Sequence, residues 1–557
     1  MHRIGTVRWL VLFVLAAACG DDMVAGSVDG SIDVAPGDGR ADADASTDAS
    51  TPTCGAAPSE SFDPLALYVA PKVTPTTIVT STNDDGAGSL RAAVAAGGVI
   101  GFAPALAGKT ITLASAIEIG GSLRVDGSDA AGITIDAAGK GSAFHFNGDA
   151  PTKLSFFLLR IVNGKTNGSG GAISVNGKAI DLEIGGVRFE SNAAGEGGAL
   201  RVGYAGGSTF HVHHSSFLSN DGTLTKSGFS GGAISSIGGV LTIDHCRFEK
   251  NVGVATGAVY TIHANPDVSD SVFVENRSAG ASGSGGFFAD GAGPGDYNSP
   301  KPTPPGTMAL RRTLFVRNRG AGDDSGAAEL YAYPADTVIV EGSVFLANTS
   351  NPGRAGALFI HADKNVEIRR TAFLDNEASG GPGGAIWADG DGVYTFENDL
   401  FDGNRTDADY GGALRLNVSD KSKLRISYSI FSDNVAANGN GAIWMGGKRD
   451  ATSTSSIYVG NTGSAGAQQV NFPIADDESD IEWPKTGAAT KSLASARGVD
   501  PMLGPRVADS GTFIRAPKPG SPALETGALP APATDQRGAV RGAKLDVGSV
   551  EVGAGCP

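Results

Sequence analysis

The chain has 557 residues and a formal net charge of −16. An acidic balance of that size argues against nonspecific nucleic-acid binding, which is driven by basic patches on phosphate. With 82 Gly, 24 Phe, 41 % hydrophobic and only 18 % charged residues, the composition suits many short strands joined by tight turns around a substantial core, and it makes an internal repeat the first thing to look for.

Residues 1–18 read as an export signal. Arg3 and Arg8 supply the positive end, and Trp9 to Ala18 form an apolar run too short to span as a mature transmembrane helix. The stretch Ala16-Ala17-Ala18-Cys19, with Leu15 before it, resembles a bacterial lipobox, with Ala16 where the usual Leu stands. The resemblance implies cleavage before Cys19, a lipid on its sulfur and an outer-membrane lipoprotein; the alternative is an ordinary signal peptide followed by a leftover cysteine. No other segment is long and apolar enough to span a membrane. Residues 19–60 then comprise Cys19 and an acidic linker, rich in Asp, Ala, Ser, Gly and Thr. Such a segment is expected to be disordered, because it cannot bury enough apolar surface to offset its ordering entropy.

Residues 61–98 are expected to form an N-terminal cap. Ser89 is a good helix N-cap, Leu90 to Ala96 a short helix and Gly97-Gly98 its stop. A helix there can cover the open end of a stack of strands.

From about residue 99 to 465 two motifs alternate. F-x-x-N recurs at Phe189, Phe217, Phe248, Phe273, Phe315, Phe345, Phe373, Phe401 and Phe431, and once more with Tyr458, in steps of 28, 31, 25, 42, 30, 28, 28, 30 and 27 residues. The step of 42 holds a Pro/Gly-rich insertion, Asp290 to Gly306. Between these motifs lies G-G-A-[ILV], as at Gly170, Gly197, Gly231, Gly383 and Gly411, with looser copies at Gly257, Gly356 and Gly441. Two motifs locked at one period specify a structural repeat.

Within each repeat the alternation is that of strands, as in Val366-Ile368-Thr371-Phe373 and Leu424-Ile426-Ser429-Phe431. The extra residue before the Ser or Thr marks a bend where Gly186, Asp270, Gly342 or Asn398 can adopt turn geometry. The expected fold is all-β: a right-handed parallel β-helix with three short strands per coil, Phe stacked on Phe, a ladder of Asn side chains at one corner, and a buried column of small residues that includes Cys246. A leucine-rich solenoid is the rival, but helix patterns are missing and Leu is not the periodic residue. Cys54 and Cys556 would lie far apart on a rod unless a terminus folds back, so their pairing stays open.

The paired G-G-A-[ILV] and F-x-x-N motifs resemble the repeat of the bacterial polymorphic outer-membrane proteins, within the wider pectate-lyase-like β-helix superfamily, over about residues 165–465. Thr82-Asn83-Asp84-Asp85-Gly86 with Gly88-Ser89-Leu90-Arg91 is similar to the opening segment of many bacterial β-helix surface proteins. In residues 466–557, Asp500-Pro501, Gly520-Ser521-Pro522-Ala523, Thr534-Asp535-Gln536-Arg537-Gly538 and Asp546-Val547-Gly548 resemble the terminal module of choice-of-anchor surface proteins. The resemblance implies a cell-surface protein, and ending at Pro557 it fits anchoring through Cys19.

β-Helices host polysaccharide lyases and hydrolases, so paired carboxylates are candidate catalytic groups. The pairs Asp84-Asp85, Asp323-Asp324, Asp389/Asp391 and Asp407/Asp409 mostly sit in Gly-rich turns, where Asp serves local backbone bonds. His211, His213 and His214 form the one His cluster; His211 and His213 flank an inward Val212 and face outward, and no metal, cofactor or catalytic residue is assigned. After each G-G-A-[ILV] comes an outward residue: Ser174, Arg201, Ser235, Tyr260, Phe359, Trp387, Arg415 and Trp444. Exposed aromatics at one repeated position suit a polysaccharide or a partner protein, making Tyr260, Phe359, Trp387, Arg415 and Trp444 the candidate binding residues; self-stacking with cation–π contact is the purely structural alternative. The function expected is non-catalytic presentation of a rod for adhesion or binding. A polysaccharide lyase or hydrolase and a passive spacer are the alternatives.

Overall fold

The computed structural model describes residues 57–554, apart from residues 67, 204–205, 227, 229, 281–282, 295–303, 323–324, 448–449, 465–468, 477 and 486–492. The export signal, Cys19, the linker to residue 56, Cys54, Cys556 and most of the 290–306 insertion lie outside the described residues.

The chain winds as a parallel β-helix. In one representative coil, Asn365–Arg369 is followed by Ala372–Leu374, Glu377–Ala378 and Ile386–Gly390. Stacked on their equivalents, these strands form a first sheet of 14 strands, a second of 14, a third of 10 and a fourth of 12, all parallel. The three expected strands per coil are therefore joined by a fourth of two residues, just after the Asn, which is too short to leave a periodic trace. Parallel pairing also reaches beyond 99–465, from Thr77–Val79 to Ile481–Trp483. The helix Leu90–Ala96 buries Leu90, Ala93 and Val94; the Ser89 hydroxyl accepts the Ala92 N–H, and Gly97 ends the helix at φ 71°. Among the described residues no helix is long and apolar enough to cross a membrane.

Three internal columns hold the coils in register. In the second sheet the inward column begins with Ile111, Ile135 and Ile161 and continues as Phe from Phe189 to Phe431, then Tyr458 and Glu482. Successive rings from Phe315 to Phe431 lie 4.7–4.9 Å apart and within 5° of parallel, which is the inter-strand spacing. Beside it runs the Asn ladder. Asn376 is typical: its Oδ1 accepts both the backbone and side-chain N–H of Asn348 at 3.0 Å, while its Nδ2 donates to the Phe345 carbonyl and to Asn404 Oδ1, both at 2.9 Å. The ladder ends where Asn461 donates to Gln469 Oε1. The residue before each Asn sits in the left-handed region, for example Ser219 at φ 53° and Asp375 at φ 52°. That conformation is unfavourable for an L-residue, by about 1–2 kcal/mol, and it is held by the bonds of the Asn that follows.

In the third column Cys246 is fully buried among Ser and Thr equivalents. Its N–H donates to Ser271 Oγ, its sulfur lies 3.4 Å from the Val212 carbonyl, and burial pushes its thiol well above the ordinary range. The bend before this column is left-handed at Gly186, Asp270, Gly342 and Asn398, as the pattern predicts, and also at His214, His245, Arg312 and Tyr428.

Both flanking segments fold back onto the rod. Outside the second sheet, Val272, Val274, Leu314, Val316, Val344, Leu374, Leu400 and Ile430 form an apolar seam that takes in Ala57, Ala523 and Val547. Residues 57–60, expected in the linker, are thus docked, with Glu60 paired to Arg317. In the C-terminal segment the buried Asp535 carboxylate accepts the N–H groups of Arg537, Ala539 and Glu551 and pairs with the Arg537 guanidinium. Arg541 donates to Asn398 Oδ1 and lies 4.3 Å over the Tyr428 ring, fixing the module to the rod.

Candidate functional site

Register confirms that the candidate binding residues share one column on the outer face of the fourth sheet. Tyr260, Phe288, Glu329, Phe359, Trp387, Arg415 and Trp444 are successive partners. Sequence reasoning missed Phe288 and Glu329. Phe288 follows Ser284-Gly285-Gly286-Phe287, where Gly286 stands in register with the motif's Ala and Phe287 with its Ile, so the motif is not recognisable there, and Glu329 is no aromatic.

The expectation that these rings stand open to solvent is corrected. Tyr260 and Phe359 are each 2 % exposed and Trp387 6 %. Tyr260 meets Phe288 edge-on at 5.1 Å and packs with Ile237, Ala255 and Ile262. Phe359 stacks on Trp387 at 4.8 Å, Ala355 closes the same cluster, and the Arg354 guanidinium lies 4.8 Å over Trp387. Alternation along a strand points these side chains away from the coil interior, but the loops entering the fourth sheet roof them over. Phe288, against Tyr260, is partly buried, and the far end of the column also stays partly open. There the Arg415 guanidinium lies 3.7 Å over Trp444 and 3.2 Å from Asp409, and Tyr410 stands beside both, 39 % exposed. Tyr410 comes from a loop, so strand alternation gave no sign of it.

A second cluster gathers on the outer face of the first sheet. Glu183 faces His211 and Gly185 faces His213 across one strand pair; His213 in turn faces Asp244. His211 Nε2 lies 2.5 Å from Asp244 Oδ2, and His245 Nδ1 lies 3.0 Å from the other oxygen. His213 Nδ1 is 3.3 Å from His214 Nδ1, while its Nε2 is 3.6 Å from Glu183 Oε1. His214 and His245 stack in parallel at 4.7 Å. Tyr68, from the docked N-terminal segment, meets His213 and His214 at 5.3 and 5.0 Å. It fits because Gly185 and Gly186 lack a Cβ: one on Gly185 would stand 2.4 Å from the Tyr68 hydroxyl. Burial, with the nearby His245 charge, lowers His214 to about 4 and keeps it neutral near neutral pH. Burial pushes the Asp244 carboxyl up, but the bonds from His211 and His245 outweigh it and hold it well below the carboxylate range. The hydrogen bond to Asp244 raises His245, and the contact with His213 lowers Glu183.

No family model matches the chain, and no curated protein matches its sequence. Among solved structures it is similar to tailspike protein 3 of bacteriophage CBA120, at 12 % identity and a TM-score of 0.37, covering 78 % of this chain and 65 % of the tailspike. It is also similar to the A-module of the Azotobacter vinelandii mannuronan C-5 epimerase AlgE6, at 13 % identity and a TM-score of 0.25, covering 73 % of this chain and 98 % of that module. The chain thus spans just under two thirds of the tailspike's length.

The acidic pairs of the Gly-rich turns have local partners. Asp84 pairs with Arg91, Asp389 with His361, Asp391 with Lys421 and Asp409 with Arg415. Asp407 accepts the Ser379 hydroxyl and the Gly380 N–H. Asp323 and Asp324 lie outside the described residues. Two shallow grooves flank the rod. One, of about 280 Å³, lies between Ser61–Pro64 and the polar early coils at Arg188, Glu190, Arg247 and Glu249. The other, of about 300 Å³, lies between Arg425, Thr452 and Thr454 on the first sheet and Pro530–Pro532 of the C-terminal module.

Proposed function

We propose that the chain is an exported lipoprotein, held at the outer membrane through Cys19, whose β-helix is a non-catalytic rod for adhesion to or binding of polysaccharide. The observation that carries the binding half is the open end of the fourth-sheet column. Tyr410, 39 % exposed, stands beside an Arg415–Trp444 stack whose guanidinium already lies against Asp409. Flat rings next to a fixed cation suit stacking on a sugar ring bearing an acidic substituent. The roofed rings at Phe359 and Trp387 serve the rod by self-stacking.

The test is glycan-array binding of the purified chain against Tyr410→Ala, Trp444→Ala and, as a control, Trp387→Ala. Binding is expected to be lost in the first two with the fold intact, and retained in the third at a lowered melting temperature. Unchanged binding in Tyr410→Ala and Trp444→Ala overturns the site; absence of glycan binding by the parent favours a passive spacer. For the anchor, Cys19→Ser is expected to move the protein from the membrane to the soluble fraction, because loss of one thiol removes the acyl chains attached through it. Retention of that variant in salt-washed membranes overturns the anchor.

A further inference from the structure

The histidine-rich cluster on the first sheet has features that ordinary packing leaves unexplained. His213 is 8 % exposed, and its Nε2 is buried without a hydrogen-bond partner, 3.6 Å from Glu183 Oε1. The Tyr68 hydroxyl beside it is also buried without a partner. A buried polar atom without a hydrogen bond is unfavourable by about 1–3 kcal/mol; the Tyr68 hydroxyl is one, and His213 Nε2, with only its 3.6 Å ion-pair contact to Glu183, is another. One ligand atom from each of Glu183, His211 and His213 can be chosen so that all three lie within 4.8 Å of one another.

The remaining ring nitrogens are already in use. His211 holds Asp244 through Nε2, and His213 holds His214 through Nδ1. This leaves Nδ1 of His211 and Nε2 of His213 for another partner. A metal-binding histidine needs this arrangement, with its second nitrogen fixed by a carboxylate or another polar group. Tetrahedral zinc with bonds of about 2.0–2.1 Å sets its ligand atoms about 3.3 Å apart; the 3.6 Å between His213 Nε2 and Glu183 Oε1 is close to that spacing, and the pairs with His211, within 4.8 Å, close on binding by a turn of the half-exposed His211 ring.

We propose that Glu183, His211 and His213 form a binding site for a zinc-class divalent cation, with Asp244 and His214 as positioning residues. Two imidazoles and one carboxylate are a borderline-soft donor set that favours Zn²⁺, Co²⁺, Ni²⁺ or Cu²⁺ over Ca²⁺ and Mg²⁺, which prefer all-oxygen shells. Three protein ligands leave one position for water or another ligand. The neighbouring group of His214, Asp244 and His245 is the weaker candidate, because Asp244 already bonds two imidazoles and His214 lies flat on His245.

The experiment uses the full chain purified without a histidine tag, stripped with chelator and titrated with Zn²⁺ by calorimetry. Co²⁺ is then added to read coordination from its ligand-field absorption. One equivalent of Zn²⁺ at micromolar affinity or tighter is expected, with tetrahedral Co²⁺ bands. His211→Gln and Glu183→Gln should each weaken binding at least tenfold, and Asp244→Asn 10–100-fold, the usual effect of losing a positioning partner. His211 is half exposed, so its variant should fold like the parent, as checked by circular dichroism. His145→Gln and His361→Gln, which alter the pairs with Glu118 and Asp389, should bind as the parent does. Absence of stoichiometric Zn²⁺, octahedral Co²⁺ bands, or Zn²⁺ binding unchanged in both His211→Gln and Glu183→Gln overturns the site.

Discussion

Two buried side chains show how single residues set the stability of the rod. Replacing Asn376 by Ala removes the acceptor for both Asn348 N–H groups and the donor to the Phe345 carbonyl. At about 1–3 kcal/mol for each buried group left unpaired, the loss should exceed about 3 kcal/mol, read as a shift of the urea midpoint; a loss under about 1 kcal/mol would show that the ladder does not hold the coils. Glu482 acts in the opposite sense. It is buried at the last rung of the aromatic column, in register with Tyr458. Burial raises its carboxyl to about 7, although Lys485 pulls the other way. The unfolded value is about 4.3, so between these limits the folded state binds more protons and stability falls as pH rises. Above pH 7 the whole penalty is present, on the order of 3 kcal/mol. Glu482→Gln should therefore stabilise the chain by about that amount at pH 8 and by almost nothing at pH 4. Equal effects at both pH values would mean that the carboxyl titrates normally.

Elements divide by how their contacts arise. The Phe and Asn columns were legible in the sequence because one residue type recurs at one period, and burial in a stack makes that recurrence physically necessary. The helix at Leu90–Ala96 was legible through its cap and stop residues. The roof over Phe359 and Trp387 was not, since alternation separates inward from outward but is silent on which loop covers an outward face; Arg354 and Ala355 lie in such a loop. Nor was the cluster of Tyr68, Glu183, His213 and Asp244, whose members come from separate coils and from the folded-back N-terminal segment. The apolar seam did leave a signal. The two residues flanking each Phe are polar at Arg188/Glu190 and Arg247/Glu249 but apolar at Val272/Val274, Leu314/Val316 and Val344/Leu346, so something must cover the later coils. The docked N-terminal segment, through Ala57 and Phe62, and the C-terminal module, through Ala523 and Val547, share that cover, and Asp402 helps to hold the module. That carboxylate meets Arg506 and Arg515 at 3.0 Å and accepts the Ser432 hydroxyl. Removing one member of a buried ion pair costs about 3–5 kcal/mol, but each arginine keeps a second carboxylate, Asp375 or Asp433. Asp402→Asn should thus cost roughly 2 kcal/mol, below that range, and the loss should be local: faster hydrogen exchange over 500–554 with the Phe column still protected. Exchange that rises evenly along the rod would show that the module does not dock through Asp402.

At the scale of the molecule, a β-helix is a stack in which each coil contacts its neighbours, so stability sums along the axis and segments that bridge many coils matter beyond their length. The C-terminal module bridges coils from Asp375 to Ser455, through Arg506 on Asp375 and the Ala528 N–H on Ser455 Oγ. It also covers part of the seam formed by Leu374, Leu400, Ile430 and Ile457. A truncation after residue 498 would keep every Phe and Asn of the two columns yet uncover that strip, and a contiguous apolar strip on a soluble face drives association. The truncated chain should self-associate in light scattering and melt below the parent. Changing Leu374 and Ile430, outside the columns, to Thr should return it to monomer without restoring the melting temperature, because solubility depends on the strip and stability on the bridge. If the truncated chain is monomeric and melts with the parent, the module neither covers the rod nor clamps its coils.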